Sequence, residues 1–136
     1  MKKKLSVLGA IILLVLVQIE VSGQSVHRTK PLGELVESAG YILAARCVEV
    51  RQGHHPDYPN IRVTFVTLEV TESLKGNASR RWTFMQFAGR GNMTRIPDLP
   101  TYRVGEEVVL FLYPESQYGF TSPVAAGQGK FVVRDD

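Results

Sequence analysis

The chain is poor in the residues that staple or arm small exported domains: among 136 residues it has one cysteine, Cys47, and three histidines. A single cysteine makes no internal disulfide, so the fold has to rest on an apolar core. Cys47 sits in the strand-like run Tyr41 to Val50 with no histidine nearby in sequence. It reads as a small buried hydrophobe rather than an activated thiol. Long hydrophobic runs are also missing. The longest, from Leu5 to Val17, is 13 residues, short of the roughly 20 that cross a bilayer as a helix. Beyond the first few residues there is no lysine or arginine run, which excludes nucleic acid as an expected partner. Neither internal repeats nor low-complexity tracts occur, and 44% hydrophobic with 21% charged residues is the composition of a folded chain.

What is present begins with a leader. Lys2, Lys3 and Lys4, the short apolar run, and the small residues Val21 and Gly23 have the order of a secretory signal peptide over residues 1–23, with cleavage before Gln24. The mature chain is then expected to be secreted or periplasmic, with no stable membrane anchor after cleavage. An uncleaved leader would instead make it an envelope-anchored structural protein, and the mass of the exported chain separates the two. Taking Lys2, Lys3, Lys4 and Glu20 from the 16 basic and 13 acidic residues leaves 13 against 12. The mature protein is nearly neutral.

Residues 24–30 read as a polar lead-in, and residues 31–136 as a single β-barrel domain. Pro31 in a first turn, Leu32, Leu35, Val36 and Ala39 along one face, and Gly40 as a stop predict a short helix over residues 31–40. Its whole stripe is expected to pack on a sheet. Four β segments follow, at residues 41–51, 61–74, 81–87 and 106–113. In the second, apolar positions Val63 and Phe65 shift to Val66, Leu68 and Val70, which predicts a bulge or sharp bend that exchanges the faces. The fourth is apolar on both faces and is expected to be central. Weaker strands are expected at residues 118–121 and 130–134. Five or six short strands with one short helix predict a mainly β fold, a small OB-like barrel.

Few residues suggest chemistry. His54, His55 and Asp57 are the one cluster of metal-ligating types, but a structural site wants about four ligands and the remaining histidine, His27, lies in the lead-in. The cluster reads as a solvated loop, and no metal or other cofactor is expected. No nucleophile elbow accompanies the serines, so no catalytic residue is assigned. Glu106 and Glu107 are adjacent in a strand and point to opposite faces. Gly89, Arg90, Gly91, Asn92, Met93, Thr94 and Arg95 form a glycine-rich basic stretch without the Gly-Lys-Ser/Thr ending of a phosphate loop. With residues 96–102 it makes a connection of about 18 residues, a length that points to a functional loop. Arg90, Asn92, Met93, Arg95 and Tyr102 are therefore the candidate partner-binding residues. Trp82, Phe84, Phe87, Tyr102 and Tyr113 resemble a stacking platform in composition but are more simply core.

Several segments together carry a resemblance: residues 35–42 (LVESAGYI), 64–76 (TFVTLEVTESLKG), 105–112 (GEEVVLFL) and 127–131 (GQGKF). In these the chain resembles a family of small exported bacterial proteins of uncharacterised role, itself similar to the OB-fold barrel of tissue inhibitors of metalloproteinases. The resemblance implies a barrel with a binding face. It does not carry over the inhibitors' mechanism, in which an N-terminal cysteine amine meets the protease zinc, because this mature chain begins at Gln24 and has only Cys47. The expected function is a non-catalytic binding or interaction module with an extracytoplasmic protein partner, its face formed by the 88–101 and 54–60 loops. The alternative is an inhibitor of a secreted protease that acts through a loop.

Overall fold

The computed structural model describes residues 29–92 and 99–135. The expected leader over residues 1–23, Gln24, and the candidate residues Met93 and Arg95 lie outside the described residues. A helix α1 (Leu32–Ser38) precedes strands β1 (Tyr41–His54), β2 (Ile61–Lys75), β3 (Arg81–Arg90), β4 (Glu107–Leu112) and β5 (Lys130–Val132). A 3-10 turn (Ala126–Gly129) leads into β5. All five strands belong to one antiparallel sheet in the order β3-β2-β1-β4-β5.

The long β1–β2–β3 meander follows from runs of β-branched and aromatic residues broken by turn formers. Between β2 and β3, Gly76 takes φ +83°, and a Cβ there would lie 2.5 Å from the Gly40 carbonyl oxygen. Only glycine fits that approach. Bulges skip one residue of the ladder at Val48 in β1, at Thr71 and Leu74 in β2, and at Ala88 in β3. Each adds local twist and bends the long strands.

Two apolar clusters take opposite faces of the sheet. Leu43, Ala45 and Cys47 from β1, Val66 and Leu68 from β2, Phe84 from β3, and Val108, Leu110 and Leu112 from β4 form the larger, closed by Tyr102. Each fully buried leucine in it contributes about 1.5–3 kcal/mol. Ile42 and Phe111 face the other way and pack with Leu35, Ala39 and Val124. This is why β4 is apolar on both faces: it lies between β1 and β5 with a cluster on each side.

Several expectations are corrected. The helix buries only Leu35 of its stripe, with Ala39 just beyond its end, while Leu32 is 61% and Val36 41% exposed. Seven residues make too short a helix to seat four side chains on the small Ile42–Phe111–Val124 patch. The pattern shift within β2 is not a bulge, since the ladder to β3 runs unbroken from Val63 to Glu69. Both faces are simply covered there: Val66 and Leu68 face the main core, and Val63 is buried on the opposite side, across from Phe87. The sheet does not close into a barrel. Instead of a fifth strand at 118–121 there are two isolated bridges, parallel from Phe120 to Met85 and antiparallel from Pro123 to Leu112. Pro123 lacks a ladder N–H, and Ala125 and Ala126 turn the chain away at φ 53° and 56°. The expected strand at 130–134 is shorter, as β5.

Candidate functional site

At the end of the sheet where β2 begins and β3 finishes, two loops meet. The first joins β1 to β2. His55 N–H donates to the Ile61 carbonyl (2.9 Å) and Ile61 N–H to the Tyr58 carbonyl (2.9 Å), which folds residues 55–60 into a compact turn. The second is a hairpin at 116–120. Ser116 N–H bonds the Phe120 carbonyl (2.8 Å), the Ser116 hydroxyl accepts from Phe120 N–H (3.1 Å) and Tyr118 N–H (3.3 Å), and Gly119 turns at φ +83°. Short hydroxyl-to-backbone bonds of this kind fix a turn locally.

His55 locks the two loops together. Its ring is only 4% exposed; Nδ1 accepts the Asp57 N–H at 3.0 Å, so the proton sits on Nε2, which donates to the Tyr118 carbonyl at 2.8 Å. The ring also meets Tyr58 (5.0 Å between centroids) and Phe120 (5.3 Å), and Phe120 meets Phe87 edge-on at 5.9 Å. As a result Tyr58 and Tyr118, 42% and 49% exposed, are brought to 5.5 Å with their rings at 83°. They flank an open cleft of about 270 Å³ whose other walls are Asn60, Ile61 and Arg90. The loop after β3 is tied in by Gly91 N–H, which donates to the Asn60 carbonyl at 3.2 Å.

Of the residues singled out in the sequence, Arg90 is in this cleft and Asn92 is exposed two residues past it. Tyr102 is elsewhere. It is 8% exposed in the main core, its ring edge-on to Phe84, and its hydroxyl donates to Gln86 Oε1 at 3.3 Å. Burial first, then the Glu106 carboxylate and Cys47, hold that hydroxyl protonated far above the usual tyrosine range. His54 ends β1 exposed, Asp57 is exposed in the turn, and His55 has both ring nitrogens committed to backbone partners. Among the described residues no three His, Cys, Asp or Glu side chains gather as metal ligands. Cys47 is fully buried, and burial together with Glu106 pushes its thiol up.

Sequence reasoning pointed to the 54–60 loop but not to the 116–120 hairpin, and it missed Tyr58 and Tyr118 as the exposed pair. Tyr118 looked like part of a strand, and the signal that it caps a hairpin was Ser116 spaced three before Gly119. Comparison with protein-family models, curated proteins and solved structures finds no match for this chain. Among the described residues no helix is long and apolar enough to cross a membrane.

Proposed function

We propose that the protein is a non-catalytic binding module, secreted or periplasmic, that engages an extracytoplasmic protein partner at the Tyr58–Tyr118 cleft. The observation that carries this is the fixing of two exposed tyrosines from separate loops by one buried histidine hydrogen-bonded to the backbone at both nitrogens. Tyrosines held in place before binding supply large contact area at little entropic cost. The leader pattern supports export. The OB-like part of the reading is supported by connectivity: β1, β2 and β3 form a meander, β4 lies on the far side of β1, and residues 120–123 touch β3 in parallel and β4 in antiparallel sense. Small folds of that type bind ligands near such loops.

Affinity capture from the source organism's envelope and secreted fractions tests the reading, with the protein and its Tyr58→Ala/Tyr118→Ala variant as parallel baits. A partner retained by the first and lost by the second, with unchanged circular dichroism, supports it. A partner held equally by both contradicts it. The identity of the retained protein also decides whether a protease is involved.

A further inference from the structure

The cleft end of the sheet carries positive charge that nothing in the described residues neutralises. Arg90, exposed, makes no ion pair there, and neither does Asp57, the carboxylate of the neighbouring turn. One rung away in the β2–β3 ladder, Arg62 pairs with Gly89 as Ile61 pairs with Arg90. Arg62 has its Nε and Nη2 buried with no hydrogen-bond partner. Those two donors form the side-on edge of the guanidinium, and buried donors left unpaired are costly to the fold. Arg51 adds charge on the neighbouring strand, stacked over Phe65 at 4.2 Å and only loosely paired with Glu49 at 3.8 Å. A half-buried cation projects its field further than a fully exposed one.

We propose that the partner presents an acidic, extended peptide segment to the cleft. This rests on the binding reading above and names the chemistry the cleft selects. A carboxylate pairs with Arg90, its apolar flank lies against Ile61 between Tyr58 and Tyr118, and Arg62 supplies the field beneath. The tyrosine rings meet edge-on at 83°, so they leave no parallel faces between which a sugar or base stacks. A volume of about 270 Å³ suits one or two side chains. Because Arg62 alternates to the other side of β2 from Ile61, it acts through charge and not through contact.

Selection from a phage-displayed random peptide library tests this, with binders to the Tyr58→Ala/Tyr118→Ala variant removed at each round. Survivors are expected to be enriched in Asp and Glu, to bind the Arg90→Gln variant roughly tenfold more weakly, and to weaken as salt is raised from about 0.05 to 0.5 M. Arg62→Met is expected to melt higher than the parent, by about 4 °C or more, and to bind the same peptides more weakly; a purely structural arginine would melt lower when removed. Neutral or basic survivors that still need the tyrosines overturn the acidic-segment inference and leave the cleft reading standing. An empty selection overturns the peptide as occupant, and so does oligogalacturonate competing more strongly than the selected peptides. Survivors that bind Arg90→Gln equally overturn the role of Arg90. An Arg62→Met protein that melts lower removes Arg62 from the proposal.

Discussion

Tyr102 shows how far a single position can depart from its sequence reading. As the last aromatic of a long loop it looked available to a partner, yet its ring closes the main core and its hydroxyl bonds Gln86, whose own Nε2 donates to the Pro100 carbonyl at 3.0 Å. Nothing local in Pro100-Thr101-Tyr102 distinguishes a tyrosine that folds back from one that points out; the long-range partner decides it. Burial raises the Tyr102 hydroxyl above the ordinary 10.0. For an acid raised on folding, the stabilisation is whole below the unfolded value and is lost as pH climbs toward the folded one. Stability is therefore expected to fall with pH above about 10, with Cys47, raised above 9.0, adding in the same sense. Tyr102→Phe is expected to flatten that alkaline limb while costing about 1 kcal/mol at neutral pH through the lost hydrogen bond. Denaturant midpoints across the alkaline range measure both effects.

Among the elements, the strands were legible because alternation and turn chemistry act over a few residues. The limits of β1, β2 and β3 extend the expected ones by one to three residues, and the two-faced burial of β4 follows directly from its apolar run. The segment after β4 was not legible. Its geometry is set by backbone bonds to distant strands: Thr121 N–H to the Met85 carbonyl (3.0 Å), Tyr113 N–H to Ser122 (3.0 Å) and Val124 N–H to Phe111 (2.8 Å). The turn into β5 is packed without slack, since a Cβ on Gly129 would lie 2.6 Å from both the Phe111 oxygen and the Val124 nitrogen. Gly129→Ala is expected to cost about 2 kcal/mol or more by forcing backbone apart. Gly127→Ala, where nothing lies within 4 Å, is expected to be nearly neutral. Chemical denaturation of the pair checks the contrast.

At the scale of the molecule, one ion pair joins the 101–106 loop to the last strand. Lys130 Nζ lies 2.8 Å from Glu106 Oε1, both side chains 13% exposed, and the same oxygen accepts Arg103 N–H at 3.1 Å while Lys130 also donates to the Thr101 carbonyl. Removing one partner strands the other, so Lys130→Met is expected to destabilise by about 3 kcal/mol, and Lys130→Met with Glu106→Gln by less. A double-mutant cycle reads this coupling. The cleft depends on the same long-range assembly. The 54–60 loop was recognisable as a loop and the 116–120 hairpin was not, and the pairing of Tyr58 with Tyr118 across 60 residues of sequence, through His55, is a product of the fold. The most direct measurement of that surface is the affinity of the captured partner for Tyr58→Ala/Tyr118→Ala, set beside Leu74→Ser, an exposed apolar position on the β2–β3 turn side. Loss of binding by the tyrosine variant alone is the predicted result. Equal affinity for all three proteins would contradict the cleft as the binding site.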